Sequence, residues 1–492
     1  MRITIFHVVV IVLAVWGVYG QALQAGFVKW DDESLIVGNA HVAKGRPDGL
    51  LWQWEHSHEQ LYIPVVYTAW WCIAATIGMK AWAFHAANLV VFSAAACIAY
   101  AILRMLIGQP WPALAGALLL AIHPLQVEPV AWATGMKDVL CLFFCLAAIA
   151  LYLRPRWYWA ATICFGAAML CKPSAVMVPV ILLVIDGYLL RRPWRRVLLR
   201  TAPWMIAAGA VALLTTHLQP PSLGEGGPIW ARPLIATDAV DWYLQKLVLP
   251  MDLGIDPGRR PNVVLSWHVL GIPWVALAWM IPAAIAGILV YLKRPVLTVG
   301  ALIFVVALTP MLGLQPFDFQ GYSTVAARYA SLALLGPALI AAWCLTRWKG
   351  RGAVLTALAV LCALAIGSSY QTTYWHDNVT LFTHASDVNP SSAAAHFNLA
   401  CVLIAAGDQS DAEIQKAAAF RAYLDDPEAL NVLARLGVQK AEEAEADGRK
   451  QEAREDLVNA IEQYAERLKL DPTNAEALRG MKDAQTALRK VD

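Results

Sequence analysis

Charged side chains are scarce in this sequence of 492 residues, because Lys, Arg, Asp and Glu together make up only 15% of it. Soluble proteins of this size carry about a quarter charged residues, so water cannot be the only solvent of the chain. The nine cysteines form no CxxC pair and no spacing with histidine that is typical of zinc sites. A small disulfide scaffold is excluded, and the formal net charge of +2 excludes a strongly basic nucleic-acid binder.

Apolar sequence is abundant instead. Hydrophobic residues make up 59% of the chain, the mean hydropathy is +0.52, and there are 21 tryptophans. Apolar segments long enough to cross a bilayer recur along the chain. The first has no small-residue cleavage site near its end, which favours a retained helix over a removed signal peptide. We predict eleven transmembrane helices, at residues 3–24, 84–104, 111–124, 138–153, 157–171, 173–190, 201–217, 268–291, 296–313, 328–346 and 353–370.

Basic residues predict the orientation of these helices. They gather in alternate short loops, most densely between residues 191 and 200, and such loops face the cytoplasm. The pattern predicts a cytoplasmic N-terminus in the inner membrane of a bacterium, and a periplasmic C-terminal domain. A crossing by the apolar segment 61–80 would invert every later loop, so we expect this segment to lie in the outer interface. The outer loops are then residues 25–83, 124–137, 218–267 and 314–327.

The last hundred residues differ from the rest. From Asn389 onward the chain has 19 acidic and 13 basic residues, which is typical of a soluble domain. A helical pattern ends at Gly407-Asp408 and resumes near Ser410, as in a tetratricopeptide-type unit. Asp-Pro pairs at 426–427 and 471–472 repeat Pro390 at intervals longer than the usual 34 residues. We therefore predict a membrane domain at 1–375 and a degenerate repeat domain at 376–492. Such repeats offer a concave surface to peptides, and the alternative is a helical bundle that only stabilises the protein.

Three consecutive acidic residues, Asp31, Asp32 and Glu33, directly follow the first predicted span. Adjacent carboxylates repel one another, and this raises the pKa of at least one of them. A carboxyl group with a raised pKa suits a general base. The alternative interpretation is a solvated helix cap.

Further charged residues lie at the mouths of predicted spans. Glu128, Lys137 and Asp138 fall in the second outer loop, HPLQVEPVAWATGMKDVL, whereas Lys172 separates the fifth and sixth spans and Arg328 opens the tenth. A cation at a helix mouth that faces the outer loops suits a phosphate group. The alternative for each cation is snorkelling to the membrane surface.

Five segments resemble one known family, the transmembrane and tetratricopeptide-repeat-containing protein O-mannosyltransferases and their bacterial relatives. In chain order they are FVKWDDESLIVGN, AIHPLQVEPVAWATGMKDVLCLFF, CKPSAVMVPVILLVIDGYLL, ARYASLALLGPALIAAW and YWHDNVTLFTHASDVNPSSAAAHFNLA. This family belongs to the GT-C glycosyltransferases, whose donors are polyprenyl-phosphate sugars. The resemblance implies an all-α fold, in which a polytopic membrane helical domain of the GT-C type precedes a short α-helical repeat domain.

The resemblance also implies roles for individual residues. The family's acidic pair is matched by Asp31 and Asp32, of which the first is the better candidate for the base that deprotonates a Ser or Thr hydroxyl. The acidic position of the second loop is matched by Glu128. The family's Arg-Ala-Asp falls on Lys137 and Asp138, with a shift in residue types.

Two further motifs of the family are matched in part. Its Ser-Lys-Glu reads Cys171-Lys172-Pro173 here, so the lysine is kept and the acid is lost. Its late Arg-Tyr pair is matched by Arg328 and Tyr329. The resemblance therefore implies that Lys172 and Arg328 bind the donor phosphate, and that the other matched residues lie around the same site.

The resemblance as a whole implies a glycosyltransferase that acts on the outer face of the membrane. We expect a lipid-linked sugar donor, a protein acceptor held by the repeats, no cofactor and no requirement for a metal. Two alternatives stay open: a GT-C transferase that modifies a glycan or lipid, and a non-catalytic membrane scaffold that binds partners through its repeats. A transporter is disfavoured, because its polar groups would lie at mid-membrane, whereas the charges here gather at the outer rim.

Overall fold

The computed structural model describes residues 2–59, 61–218, 227–269, 271–424, 449–470 and 475–491, with isolated positions between 434 and 445. The chain forms two compact units, Met1–Val388 and Asn389–Asp492. The helix Asn378–Val388 belongs to the first unit, whereas the boundary predicted from sequence, at 375/376, precedes it.

Among the described residues of the first unit, five helices are long and apolar enough to cross a membrane, and the bent pair Pro110–Ile122 and Pro124–Ala131 is a sixth candidate. The chain is thus a multi-pass membrane protein. The count of eleven crossings is not confirmed, although each predicted segment overlaps a helix, because several of these helices are short. The five are Ile3–Gln24, Ala81–Ile107, Trp194–Thr215, Val275–Leu292 and Arg351–Thr373. The shorter ones are Met136–Tyr152, Tyr158–Met169, Pro173–Leu189, Pro295–Met311 and Leu335–Arg347.

Proline and glycine set several of these boundaries. Gly108 ends the helix Ala81–Ile107 at φ 78°, in the left-handed region that glycine adopts without strain. Pro110 then opens the next helix at a position where its missing N–H costs nothing. The two helices pack against each other and against neighbouring helices of the first unit.

The connections outside these helices contain short elements. The segment 61–80 contains the helix Pro64–Thr76, whose Trp70 is buried in protein; its predicted place in the membrane interface stays a prediction. The other short α-helices are Ala40–Ala43, Pro47–Glu55, Val127–Ala131, Arg232–Val248 and Pro261–Ser266. A two-stranded antiparallel hairpin pairs His268–Val269 with Ile272–Pro273. Single turns of 3₁₀- or π-helix include Glu33–Val37, Pro124–Gln126, Pro173–Met177, Ile185–Leu189, Asp318–Gly321 and Ala327–Ala330.

The regular secondary structure in the described residues of the second unit is all α-helix. Ser392 caps the first helix by accepting a hydrogen bond from the Ala395 N–H at 3.1 Å, and Gly407 ends it at φ 85°. The predicted helix–turn–helix at this place is therefore confirmed. The Asp-Pro pairs at 426–427 and 471–472 lie outside the described residues, so the repeat assignment stays a prediction. The helices are Ala393–Ala406, Gln409–Leu424, Lys450–Leu470 and Ala475–Val491.

Two glycines bring a pair of apolar helices into backbone contact. A Cβ atom on Gly336 would lie 2.1 Å from the Gly300 carbonyl oxygen, and one on Gly300 would lie 2.5 Å from the Ile340 side chain. Small residues allow such close approach between helices in membranes.

We therefore expect Gly336→Leu to destabilise the protein by about 1–3 kcal/mol, the usual cost of overpacking. The measurement is thermal unfolding of the purified chain in detergent. Gly287→Leu is the matched control, because a Cβ at Gly287 meets nothing within 4 Å. Equal melting temperatures for the two variants would contradict the packing.

Candidate active site

The site is organised around residues 128–138. This segment runs from the second helix of the bent pair, Val127–Ala131, into the first turn of the helix Met136–Tyr152. Almost the whole segment is buried. Its path is fixed by Gly135, where a Cβ would lie 2.2 Å from the Pro129 carbonyl oxygen, and by Asn88, whose amide donates to the Trp132 carbonyl oxygen at 2.7 Å. The segment is therefore a rigid platform.

Asp31 contacts this platform through an ion pair. Its Oδ2 accepts a hydrogen bond from Lys137 Nζ at 2.8 Å, and its side chain stays 35% exposed. Lys137 Nζ also lies 4.9 Å from the centre of the Trp132 ring. The Asp31 carboxylate is thus held in one place and remains open to a substrate.

The neighbouring Asp32 has a different environment. Its side chain is fully buried, and its oxygens accept hydrogen bonds from the Val28 N–H at 2.9 Å, the Thr134 N–H at 2.9 Å and the Thr134 hydroxyl at 2.5 Å. Burial raises the pKa of Asp32 to about 6 and outweighs the opposing effect of these donors. The raised pKa expected from sequence is therefore present, but its main cause is burial, and the charge of Asp31 adds only a minor effect.

The segment 25–30, which leads to these carboxylates, is hydrogen-bonded to a distant part of the first unit. The Gly26 N–H donates to the His376 carbonyl oxygen at 3.1 Å, and the Lys29 N–H donates to Asn378 Oδ1 at 2.5 Å. The Trp30 ring lies 6.2 Å from that of Phe382. Asp31 is thus fixed on both sides, by the platform and by the helix Asn378–Val388.

A second ion pair joins Glu128 to Arg328, and both side chains are buried. The Arg328 guanidinium donates to Glu128 Oε1, and the Arg328 backbone N–H donates to Oε2 at 2.9 Å. The guanidinium also lies 4.1 Å from the centre of the Phe319 ring and 4.9 Å from that of Tyr329.

A third ion pair joins Lys172 to Asp138, again in a mostly buried environment. Lys172 Nζ donates to Asp138 Oδ1 and lies 4.9 Å from the centre of the Tyr329 ring. Asp138 Oδ2 is buried and accepts no hydrogen bond from the described residues. A cavity of about 30 Å³ lies between these side chains and Arg328, with room for one or two water molecules.

All eight residues singled out from the sequence therefore lie on or against this platform. The structure brings Asp31, Asp32 and Lys137 together, and four of the remaining five, Asp138, Lys172, Arg328 and Tyr329, line the small cavity. Glu128 does not line it and is joined to it through Arg328. Each of the cations Lys137, Lys172 and Arg328 is paired with a carboxylate, whereas the sequence interpretation treated Lys172 and Arg328 as free for a phosphate.

Sequence reasoning missed Thr134 and Phe319, because a threonine or a phenylalanine in an apolar chain carries no signal by itself. It also missed a buried ion pair between Asp238 and Arg259, in which Asp238 also accepts from Trp274 Nε1 at 2.6 Å. The available signal was a pair of opposite charges within the predicted outer loop 218–267. Within the described residues, no three His, Cys, Asp or Glu side chains come close enough to hold a metal ion, and metal independence stays a prediction.

Comparison with known proteins places this site in context. Residues 63–219 match the family model described as dolichyl-phosphate-mannose-protein mannosyltransferase. The protein O-mannosyl-transferase F38B6.6 of Caenorhabditis elegans is 24% identical over 422 residues, which cover 80% of this chain and 59% of that protein. Human protein O-mannosyl-transferase TMTC1 is 32% identical over 145 residues, covering 27% of this chain and 16% of that protein. The crystal structure of ArnT from Cupriavidus metallidurans bound to undecaprenyl phosphate aligns over 89% of this chain and 80% of that one, at 14% identity and a TM-score of 0.40.

The family model and the two curated relatives are mannosyltransferases. Within that class they confirm the resemblance drawn from the sequence, namely to the transmembrane and tetratricopeptide-repeat-containing protein O-mannosyltransferases. The chain spans 59% or less of the length of these curated relatives.

The hydrogen bonds of Asp32 predict that its role is structural. Both oxygens of the Asp32 carboxylate accept hydrogen bonds. In Asp32→Asn an NH₂ group replaces one of these oxygens, and this donor would face another donor, an N–H or a hydroxyl. Leaving a buried donor unsatisfied costs about 1–3 kcal/mol, so we expect a loss of that size in thermal or denaturant unfolding. Glu33→Gln changes an exposed carboxylate one residue away and serves as the control. Unchanged stability in Asp32→Asn would contradict this role.

The same carboxyl gives a pH dependence with a definite sign. Its pKa in the folded protein, about 6, lies above the ordinary value of 3.8, so the folded state binds its proton more tightly. The contribution of Asp32 to stability is complete below about pH 3.8 and is lost as the pH rises through about 6. Asp32→Asn should remove this slope from the stability profile.

Proposed function

We propose that this protein is a membrane glycosyltransferase that transfers a sugar from a polyprenyl-phosphate donor to a Ser or Thr hydroxyl of a protein. The observation that carries the proposal is the position of Asp31, an open carboxylate on the same buried segment as two further ion pairs, whose cations Lys172 and Arg328 line one small cavity. The family match and the similarity to protein O-mannosyl-transferases support this reaction class.

Asp31 is the better candidate for the general base. Both oxygens of Asp32 are already occupied by donors within the protein, and its side chain is sealed from solvent. The Asp31 side chain is partly exposed and is not part of the buried core. Lys137 contacts it on one side and orients it. A hydroxyl that approaches from the other side is within reach of a carboxylate that is fixed in place, which is the geometry that general-base catalysis needs.

Lys172 and Arg328 are the proposed phosphate ligands. Lysine has three N–H donors and arginine has five, so each retains donors beyond those that bind Asp138 and Glu128. Their counter-ions hold both cations in fixed positions before the substrate arrives. Prepositioned donors in a site with little water stabilise the charge that develops on a leaving group.

In the proposed reaction the acceptor oxygen attacks the anomeric carbon, and its proton passes to Asp31. The bond between the anomeric carbon and the phosphate oxygen breaks, and the polyprenyl phosphate leaves with its new negative charge near Lys172 and Arg328. The helical second unit is the proposed binding site for the polypeptide acceptor. A non-catalytic scaffold would not require three ion pairs on one loop, because burying charge costs free energy that the pairing recovers only in part.

Replacement of the base tests the mechanism. We expect Asp31→Asn to lower the rate of sugar transfer by about 10²–10⁴, the usual contribution of a general base, while the melting temperature stays within the range of the Glu33→Gln control. The assay follows transfer of radiolabelled sugar from polyprenyl-phosphate donors to protein in a cell extract. A variant with near-normal turnover would show that Asp31 is not the base.

The donor site is tested by removing a charge pair together. Lys172→Met alone would leave Asp138 buried without a partner, so the double variant Lys172→Met, Asp138→Asn is the cleaner change. Loss of a charge-assisted hydrogen bond of about 1.5–3 kcal/mol should raise the donor concentration for half-maximal rate at least about tenfold, for every acceptor alike.

The matched control for the donor test removes a similar ion pair elsewhere. Asp186 and Arg192 are joined at 2.9 Å and lie outside the proposed site. In Arg192→Met, Asp186→Asn the donor dependence should stay at the wild-type value. Equal donor dependence in both double variants would place the phosphate elsewhere.

A further inference from the structure

A groove separate from the proposed active site lies between the helices Tyr158–Met169 and Trp194–Leu218. Its volume is about 460 Å³. The Phe165 and Trp204 rings form part of its wall and stack at 4.7 Å with an interplanar angle of 5°. Trp204 Nε1 donates to Thr162 Oγ1 at 3.0 Å, so the indole has its hydrogen bond and presents only apolar surface. The groove shares no lining residue with the cavity around Lys172.

The floor and rims of the groove are open. Gly166 lines it, and a Cβ atom built there meets nothing within 4 Å. Trp159 on one rim is 77% exposed and Leu199 on the other is 67% exposed. Apolar side chains of this exposure on a membrane protein face lipid, and an apolar groove between them accepts an acyl chain.

One end of the groove is strongly basic. Arg200 lines it, with its guanidinium donating to the Tyr152 carbonyl oxygen at 2.8 Å and lying 4.0 Å from the centre of the Tyr152 ring. A second cavity, of about 830 Å³, is lined by Arg154 and Arg156. Its lining residues end at Trp157, directly before Tyr158, the first lining residue of the groove.

The charge of this region is almost entirely positive. Residues 154–200 contain seven arginines and a single acidic residue, Asp186, which is paired with Arg192. Arg154 and Arg156 are exposed. An excess of positive charge beside an apolar groove is complementary to a molecule with an anionic head and a long apolar chain.

We propose that this groove binds an anionic glycerophospholipid of the surrounding bilayer. An acyl chain lies along Gly166, between the exposed side chains of Trp159 and Leu199. The phosphate lies at the end marked by Arg154, Arg156 and Arg200. Basic pockets between transmembrane helices bind anionic lipid head groups in this way. The proposal does not depend on the proposed glycosyltransferase activity.

Native mass spectrometry of the full-length chain in detergent tests the proposal. The probes are phosphatidylglycerol and phosphatidylcholine with identical acyl chains. The wild-type protein should bind phosphatidylglycerol at least about tenfold more tightly. In Gly166→Trp the indole fills the open floor, so this binding should be lost. Gly209→Trp is the matched control, since a Cβ at Gly209 on the second helix also meets nothing within 4 Å and lies outside the groove; it should bind as the wild type does.

A second variant tests the head-group end without touching the helix packing. Arg154→Gln with Arg156→Gln changes two exposed side chains. Each arginine near a membrane surface accounts for roughly fivefold in binding of an anionic lipid, so the pair should weaken phosphatidylglycerol binding by about 30-fold and leave phosphatidylcholine binding unchanged. Thermal unfolding confirms that each variant is folded.

Three results would overturn the proposal. One is wild-type binding of phosphatidylglycerol by folded Gly166→Trp or by the double arginine variant. Another is equal affinity for the two phospholipids. The third is complete displacement of phosphatidylglycerol by equimolar undecaprenyl phosphate, which would assign the groove to a polyprenyl lipid instead.

Discussion

The burial of charge in matched pairs is the constraint on which the rest of the first unit depends. Glu128 and Asp138 lie ten residues apart on one rigid segment, and each would be costly to bury without its cation. Their partners come from distant parts of the chain, with Arg328 two hundred residues from Glu128. Arg328 lies in the turn Ala327–Ala330, and Lys172 follows the helix Tyr158–Met169. Their ion pairs therefore hold both segments against residues 128–138. The ion pairs thereby determine the relative positions of the helices attached to these segments.

The adjacent residues Asp31 and Asp32 have different environments and different proposed roles. Asp32 is buried, and its carboxylate joins the Val28 backbone to the turn at Thr134. Asp31 is partly exposed and accepts a hydrogen bond from Lys137. A single π-helical turn, Glu33–Val37, follows them, and such turns are frequent at functional sites. The buried aspartate sets the position of the backbone, and the exposed one thereby acquires a defined direction.

Much of this arrangement could be predicted from the sequence. Apolar runs gave the positions of the helices, and charged residues in a chain with so few of them identified the members of the site. The pairing of those residues could not be predicted, since it depends on contacts between segments 34 to 200 residues apart. The predicted number of eleven crossings stays a prediction. Helices such as Tyr158–Met169 are shorter than a span normally requires, and the 53° bend after Ile122 divides one apolar run into two.

The hydrogen bonds of Gly26 and Lys29 to residues 376 and 378 have a mechanical consequence. The helix Asn378–Val388 is the last element of the first unit, so tension on the chain that continues beyond Val388 is carried first by this helix. From there it passes through the hydrogen bonds that the Gly26 and Lys29 N–H groups donate to the His376 carbonyl oxygen and Asn378 Oδ1, and so to a segment that ends two residues before Asp31. Load on the C-terminal chain is thereby transmitted to the carboxylate over a path of only a few bonds.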